Sequence, residues 1–276
     1  LGGQHAAVRS RQREDPGVAM ANVLVCIKRV PDLGGEISLP ADRMAVDESH
    51  LGHTVRPNED GAVELAIQVA KDTGGEATVL TLGDDDAVEQ LRNALAVGCT
   101  HAVRIDADAA AYGPADVAAA IADVVQARAA DQTSYDLVLL GNDASDTGDF
   151  QVGIRLAYAL NRPVVAGVSL MHVSGDTVEA TGGSPDGGTE VYQVPLPAVA
   201  TVMEGGVEPR YPSIPGRMKA KKVAIDEVTP TREPIGSGRI RLTLPEPQPS
   251  QVTILGKGPE AAAAVVDLFE KLGVTR

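Results

Sequence analysis

Short apolar runs alternate with longer segments of helical periodicity from Met20 onward. The apolar runs are typical of buried strands and read ANVLVCIKRV, ATVLTLG, HAVRID, YDLVLLG and PVVAGVSLMHV. Helical spacing recurs in residues 59–71, in DDDAVEQLRNALAVG, in ADVAAAIADVVQARAA and over about residues 149–160. Repeated strand–helix–strand units predict right-handed crossovers. We therefore predict an α/β fold: a Rossmann-like three-layer domain of the adenine-nucleotide-binding type, with a parallel sheet between helices.

The pattern changes after about residue 170. The stretch DTVEATGGSPDGGTEVYQVPLPAVATVM alternates and is broken by Gly and Pro, which predicts an antiparallel hairpin extension beside the parallel sheet. A Pro-rich connector then leads to an amphipathic helix, GPEAAAAVVDLFEKLG, which we expect to dock on a neighbour in this chain or a partner. The predicted units are an α/β domain over residues 20–226 and a linker with a C-terminal tail helix over residues 227–276.

The first nineteen residues, LGGQHAAVRSRQREDPGVA, are polar and without periodicity. They contain no apolar segment of the kind that a secretory signal requires. We interpret residues 1–19 as a disordered leader or tag, either an expression remnant or an upstream start, and leave them out of the predicted fold.

The formal charge is −14, from 38 acidic and 24 basic residues. This charge argues against a nucleic-acid partner, because affinity for nucleic acid depends on neutralised phosphates. No apolar run approaches the ~20 residues that would span a bilayer, so we do not expect a membrane-embedded protein. The two cysteines, Cys26 and Cys99, lie in apolar surroundings, and buried free thiols favour a reducing, cytoplasmic location.

Three loops follow predicted parallel strands, where such folds bind ligands: KRVPDLGG, LGDDD and GNDASDTGDFQVG. The third loop enters a helix at about Asp149, and free N–H groups at a helix start attract anions such as phosphate. The carboxylates of Asp143, Asp146 and Asp149 would repel an anion. Nucleotide binding and a solvated turn with Asp149 as N-cap both remain open. The loop lacks the GxxxxGK[ST] pattern, and no GxGxxG follows the first strand.

Candidate catalytic groups are few. His50 and His53 lie three residues apart in a Gly-containing loop that could suit a metal, but without a third ligand a solvated loop is the favoured interpretation. The sequence has no GxSxG elbow, and Cys26 inside an apolar strand is a poor nucleophile. We therefore predict no catalytic residues, no metal site and no enzymatic bond chemistry by this chain alone.

Several segments together carry a family resemblance. They are VLVCIKRVPD, AVELAIQVA, VLTLG with LRNALAVGCTHAVRI, DLVLLGN, DGGTE with VPLPAVATV, and EPRYPSIPGRMKAKK. From Met20 to about Asp226 the chain resembles the beta subunit of electron-transfer flavoproteins, and the tail does so more loosely. The segment EPRYPSIPGRMKAKK, residues 208–222, is the most specific part, because a generic α/β protein has no reason to carry it.

The resemblance implies a heterodimer in which an alpha subunit holds the redox-active FAD. Such carriers take electrons from flavin dehydrogenases, notably the acyl-CoA type of fatty-acid breakdown, and pass them to a quinone reductase or another acceptor. The beta subunit commonly buries an AMP with a structural role. The residues that the resemblance assigns to this nucleotide are Cys26, Arg56, Pro57, Asn58, Glu59, Leu82, Gly141, Asn142, Asp143, Ala144, Ser145, Asp146, Thr147, Gly148, Asp149, Phe150, Gln151 and Val152.

The resemblance also assigns a dehydrogenase-recognition loop. Its residues are Glu208, Pro209, Arg210, Tyr211, Pro212, Ser213, Ile214 and Pro215. Ile214 falls where the family places a protruding leucine that fills an apolar pocket on the dehydrogenase, and flanking prolines would stiffen it. An ordinary Pro-rich loop with Ile214 turned into the core is the alternative. Lys219 and Lys222 fall on lysines that some members methylate, and by composition they belong to a solvated basic strand.

Some positions depart from the family pattern. Arg56-Pro57 replaces a common Asn-Pro, so Arg56 could pair with a phosphate or block the site. The region around Gln151 is closer to electron-bifurcating members, which hold a second FAD here, so FAD is the rival to AMP. Leu33 replaces a frequent Tyr, and residues 183–185 lack an expected Arg and Glu, so contacts with the partner's flavin domain are in doubt. A nucleotide-binding protein of the universal-stress type is a further alternative.

Overall fold

The computed structural model describes residues 20–32, 34, 37–246 and 252–274. The predicted leader, residues 1–19, and Leu33 lie outside the described residues. The strands are β1 (Val23–Cys26), β2 (Val30–Pro31), β3 (His53–Thr54), β4 (Ala77–Gly83), β5 (His101–Asp106), β6 (Leu137–Gly141), β7 (Val164–Ser174), β8 (Thr177–Gly183), β9 (Thr189–Pro195), β10 (Ala198–Val202) and β11 (Ile225–Val228). The α-helices are α1 (Pro57–Thr73), α2 (Val88–Val97), α3 (Pro114–Ala130), α4 (Val152–Leu160), α5 (Ile214–Ala220) and α6 (Ala262–Leu272).

In the described part of the chain, nine strands form one sheet in the order β11-β5-β4-β1-β6-β10-β7-β8-β9. The strands from β11 to β7 run parallel, and β8 and β9 continue the sheet in antiparallel fashion. β2 and β3 form a separate antiparallel pair. The predicted α/β three-layer fold with an antiparallel extension is confirmed.

The sheet has an apolar core on each face. On one face α1, α2 and α5 pack against it, with Val63, Leu91 and Ala220 in the core. On the other face α3 and α4 contribute Ile121 and Leu156. Burial on both faces explains why the central strands lack apolar–polar alternation, as β1 and β4 are buried at every position.

The path through the hairpin extension differs from the prediction. The antiparallel interpretation is right for β8 and β9 but wrong for β10, which returns to the middle of the sheet and pairs in parallel with β6 and β7. All five residues of β10 are buried, which is typical of a central parallel strand rather than a hairpin edge. The wrong prediction for β10 came from Pro195 and Pro197 just before it, because prolines are typical of edge strands and not of central strands.

The C-terminal part leaves the sheet after β11, which runs across the predicted boundary at residue 226 and pairs with β5. The following linker is hydrogen-bonded to the start of α3, where the Asp116 carboxylate accepts from the backbone N–H groups of Ile235 and Gly236. Helix α6 buries no residue and exposes Val266, Phe269 and Leu272. That this tail docks on a neighbour, and that the units divide at residue 226, stay predictions.

Candidate functional site

The carboxyl ends of β4, β1 and β6 meet at one edge of the sheet, since these neighbouring strands run parallel. From β1 the chain builds outward through β4 and β5 on one side, then crosses to β6 on the other. Open α/β sheets bind ligands beyond the carboxyl ends of the strands where the strand order reverses in this way. Residues 142–151 follow β6 at this point. We call the region between this loop and the end of β1 the carboxyl-edge crevice.

Glu59 lies between the ends of β1 and β6. Its two carboxylate oxygens accept the backbone N–H groups of Lys28 at 3.1 Å and Arg56 at 3.0 Å. A Cβ added to Gly141 would lie 2.8 Å from Cγ of Glu59, so only glycine fits there without a shift. Glu59 is 3% exposed, and its burial raises the pKa of the carboxyl group to about 7. Glu59 therefore ties the start of α1 to the end of β1, which is a structural role.

Two carboxylates of the loop are paired rather than free. The Lys28 ammonium contacts both Asp146 oxygens, at 2.6 and 2.9 Å, across the carboxyl-edge crevice. The Asn58 amide donates to Asp143 at 2.6 Å, and its oxygen accepts from the backbone N–H of Glu204 at 2.8 Å. These contacts reduce the repulsion that the carboxylates would exert on an anion, and they fix the loop to β1 and α1.

Helix α4 begins three residues later than predicted. Its N-cap is Gln151, so the prediction of Asp149 as N-cap is wrong, and no side chain caps the helix. The Gln151 oxygen accepts instead from the guanidinium of Arg155, at 2.9 and 2.8 Å. Gly148 and Phe150 adopt positive φ angles of 60° and 53°, which turn the loop before the helix starts. The first-turn N–H groups of α4 are therefore left for solvent or a ligand.

The other predicted nucleotide residues reach the same edge. Cys26 ends β1 and Leu82 lies near the end of β4, and both are buried. Burial raises the pKa of the Cys26 thiol to about 12, which makes it inert as a nucleophile. Arg56 precedes Pro57 at the start of α1, and its guanidinium forms no ion pair with the described residues. The structure thus brings together the segments that sequence predicted for the nucleotide.

Residues 208–222, which we call the recognition segment, leave the sheet after β10. Arg210 fixes its first part to α1, because the guanidinium donates to both oxygens of Glu64 at 2.7 Å. The Glu64 side chain is buried and also accepts from Gln68 at 2.7 Å. The Arg210 hydrogen bonds hold the pKa of Glu64 below its usual range. This bidentate ion pair is the strongest geometry available to an arginine and a carboxylate.

The second part of the recognition segment is helical rather than irregular. Helix α5 starts at Ile214, and the Ser213 hydroxyl accepts the Gly216 N–H at 3.1 Å as its N-cap. The interpretation of Lys219 as part of a basic strand is wrong, since it lies in α5, and Lys222 follows that helix. Pro215 in the first turn needs no hydrogen-bond acceptor, which explains why a proline-containing stretch forms a helix here.

Helix α5 is held closely against α2. A Cβ on Gly216 would lie 2.3 Å from the backbone oxygen of Ala96, so the two helices touch through main chain. At the other end, the Arg92 guanidinium donates to the carbonyls of Ala220 at 2.6 Å and Val223 at 2.5 Å. A cation at a helix C-terminus is also favoured by the helix dipole. Both ends of α5 are therefore fixed to α2.

The outer face of the recognition segment is apolar and basic. Ile214 is 80% exposed, Tyr211 is 90% exposed, and Met218 lies one helical turn after Ile214 with more than half of its surface exposed. The alternative with Ile214 in the core is therefore wrong. The neighbouring basic residues along the chain, Arg217, Lys219, Lys221 and Lys222, are also exposed.

Comparisons with known proteins agree with this arrangement. The model of the electron transfer flavoprotein domain matches residues 43–233. The chain is 35% identical over 207 residues to the electron transfer flavoprotein subunit beta of Bacillus subtilis, covering 75% of this chain and 78% of that protein. It is 34% identical over 217 residues to the human protein of that name, covering 77% and 83%. This chain belongs to the electron transfer flavoprotein beta-subunit family.

By their name, electron transfer flavoproteins are electron carriers that involve a flavin. Among the residues that the structure describes, no group of three His, Cys, Asp or Glu side chains could hold a metal ion. His53 contacts Glu48 at 2.8 Å. No helix in the described part of the chain is long and apolar enough to cross a membrane.

Some residues that support the carboxyl-edge crevice and the recognition segment were not predicted from the sequence. The Thr201 hydroxyl in β10 donates to the Asn142 oxygen at 2.6 Å and accepts the Gly167 N–H at 3.0 Å, which fixes the start of the loop 142–151. Glu64 and Arg92 fix the recognition segment. The only feature of the sequence that could have predicted Thr201, Glu64 and Arg92 is that each is a polar residue within an otherwise apolar strand or helix face.

Proposed function

We propose that this chain is the beta subunit of a heterodimeric electron carrier whose FAD is held mainly by an alpha subunit. The carrier takes electrons from flavin dehydrogenases of the acyl-CoA type and passes them to a quinone reductase or another acceptor. The names of the similar proteins from Bacillus subtilis and human, each a subunit beta, support an alpha partner. In this role the chain carries out no bond chemistry of its own and positions the carrier on its donors.

The observation that carries the proposal is the exposure of Ile214, 80%, on a rigid support. Arg210 and the contacts of α5 with α2 fix the backbone on either side of Ile214. An aliphatic side chain held in this way loses little entropy when it enters an apolar pocket. Dispersed lysines around it suit a partner whose pocket has an acidic rim. We therefore assign Ile214 as the anchor for the dehydrogenase.

Ile214→Ala tests this assignment in the complex formed by co-expression with an alpha subunit. We expect dehydrogenase-dependent flavin reduction to require about tenfold more carrier, because burial of most of an isoleucine side chain is lost. The yellow heterodimer should form in normal yield. Ile235→Ala is the matched control, since Ile235 is 91% exposed but lies in the C-terminal linker. Normal reduction by Ile214→Ala, or an equal loss in Ile235→Ala, contradicts the assignment.

We further propose that the carboxyl-edge crevice binds AMP in a structural role. The uncapped start of α4 offers backbone N–H groups to a phosphate, and the charged loop side chains Asp143 and Asp146 are already paired. Arg56, with no ion-pair partner among the described residues, would add a positive charge at the start of α1. The residues that would hold the nucleotide are those assigned to it from the sequence, from Cys26 to Val152.

FAD is the second candidate for the same crevice, as the pattern around Gln151 favours, and it would supply a second redox centre for electron bifurcation. Mass spectrometry of the small molecule released on denaturation distinguishes the two. We expect AMP at one equivalent per chain. FAD released in two equivalents per heterodimer would favour the bifurcating form, and release of ATP without a flavoprotein partner would favour the universal-stress type.

A further inference from the structure

The linker that follows β11 is fixed to the carboxyl edge of the sheet at two separate points. At the first point, the Asp116 carboxylate in α3 accepts the backbone N–H groups of Ile235 at 3.0 Å and Gly236 at 2.8 Å. A Cβ added to Gly113 would lie 2.3 Å from the carbonyl oxygen of Gly236, so the linker also touches the main chain there. Gly113 precedes α3, which starts at the carboxyl edge because it follows β5.

The second point is the loop between β2 and β3. The Leu242 N–H donates to the carbonyl oxygen of Arg43 at 2.7 Å, and the Arg239 guanidinium donates to that of Met44 at 2.9 Å. This loop follows β1 and leads back to the start of α1, so both of its ends lie at the carboxyl edge. We call residues 235–242 the strap. It runs from the loop after β5 to the loop after β1, and β4 lies between these two strands in the sheet.

The first fixed point and the carboxyl-edge crevice lie on the same face of the sheet. Cys26 and Leu82, which end or nearly end β1 and β4, belong to the apolar core that α3 and α4 form on that face. Helix α4 starts directly after the crevice loop, and α3 starts where the strap is fixed. The strap therefore borders the outer side of the crevice.

The strap buries little of its own surface. Six of its eight residues are exposed, and only Gly236 and Leu242 are half-buried. Ordering a backbone costs about 1–2 kcal/mol per residue, which burial within this chain offsets only in part. A segment that is held at both ends but buries little of itself is suited to cover a ligand, as loops over binding sites commonly do.

We propose that the strap forms the outer wall of the carboxyl-edge crevice and slows the release of the nucleotide bound there. This inference rests on the proposed binding of AMP in the crevice. It adds residues 235–242 to the segments that the sequence assigned to the nucleotide, all of which lie between Cys26 and Val152. The bound nucleotide leaves when the strap separates from α3 or from the loop between β2 and β3.

The release rate of AMP tests the role of the strap. The full chain is loaded with radiolabelled AMP, and release is followed after addition of excess unlabelled AMP. Gly113→Val places side-chain atoms against the Gly236 carbonyl and displaces the strap, so we expect release to become about tenfold faster. Arg239→Met removes one of the two hydrogen bonds at the other end, and we expect release to become about threefold faster.

Gly183→Val is the matched control for Gly113→Val. Gly183 lies at the end of β8, and a Cβ there meets no heavy atom of the described residues within 4 Å. The release rate should therefore stay unchanged in this variant. Hydrogen exchange gives a second measurement on the natural chain. Saturating AMP should slow the exchange of the strap amides, whereas a linker without contact to the crevice would exchange equally with and without AMP.

The outcomes separate this inference from the proposed AMP site. If the natural chain binds AMP but both variants release it at the natural rate, the strap inference is overturned and the AMP site stands. Unchanged exchange of the strap amides on AMP binding leads to the same conclusion. If the natural chain binds no AMP, the AMP site and the strap inference both fail. If Gly113→Val does not fold, the release rate of Arg239→Met decides.

Discussion

The carboxyl-edge crevice and the recognition segment are both held by pairs of charged residues that are distant in sequence. The pair of the crevice lies inside the crevice, whereas the pair of the recognition segment lies behind its exposed face. In the crevice, Lys28 and Asp146 meet across the gap that a ligand would enter. In the recognition segment, Arg210 and Glu64 pair behind the surface, and Ile214, Tyr211 and Met218 stay exposed. If a nucleotide enters the crevice as proposed, the Lys28–Asp146 pair would have to rearrange, whereas the Arg210–Glu64 pair fixes the backbone near Ile214 without covering that side chain.

The largest expected effect on the free energy of unfolding concerns Glu59, at the inner end of the crevice. Its carboxyl pKa is raised from 4.5 to about 7 by burial, so the folded chain binds this proton more tightly than the unfolded chain does. The free energy of unfolding should therefore fall as the pH rises from 4.5 to about 7, and then level off. The size of this contribution is about 3 kcal/mol.

Urea unfolding of the natural chain and of Glu59→Gln across this pH range measures the contribution of Glu59. The variant cannot titrate at this position, so its unfolding free energy should lack the decline between pH 4.5 and about 7. Glu260→Gln, in the exposed start of the tail helix, is the control and should keep the decline. An identical decline in Glu59→Gln would assign the titration to another group.

The second largest expected effect on stability concerns the contact between α5 and α2, which supports the recognition segment. Gly216→Val places side-chain atoms where a Cβ alone would be 2.3 Å from the Ala96 backbone oxygen, so α5 must move away from α2. We expect a loss of about 2 kcal/mol in the free energy of unfolding, as in other overpacked sites. Dehydrogenase-dependent reduction should also fall, although Ile214 itself is unchanged, because its backbone is no longer fixed.

Gly52→Val is the matched control for this substitution, since a Cβ at Gly52 meets no heavy atom of the described residues within 4 Å. It should change neither stability nor reduction measurably. If Gly216→Val destabilises the chain but supports normal reduction, the fixed backbone behind Ile214 does not contribute to recognition. The proposed difference between the recognition segment and the crevice would then be wrong.

Much of this contrast could be predicted from the sequence, and the remainder depends on long-range pairing. Apolar runs gave β1 and β6 and therefore the edge where the loops meet. The family resemblance indicated that Ile214 is exposed, and the prolines beside it indicated a stiff backbone. The Arg210–Glu64 pair joins residues 146 apart in the chain, and no local pattern predicts such a contact. Helix α5 was missed although Ser213 followed by Pro215 is a usual helix start, because three prolines in a short stretch suggested irregular structure.

The smallest effect on stability, and the sharpest test of the crevice, concerns the Lys28–Asp146 pair. Its side chains are 36% and 24% exposed, so Asp146→Asn should change the free energy of unfolding by less than about 1 kcal/mol. If AMP binds as proposed, the same change frees the Lys28 ammonium for a phosphate and removes a negative charge from the loop. The purified variant should then retain more AMP per chain than the natural protein, and Lys28→Met should retain less, both measured by mass spectrometry after denaturation. Asp86→Asn breaks the more exposed Arg29–Asp86 contact at 3.4 Å and should leave the AMP content unchanged. Less AMP in Asp146→Asn would mean that the carboxylate itself helps to hold the nucleotide, and that the pair is part of a preformed site rather than a barrier across it.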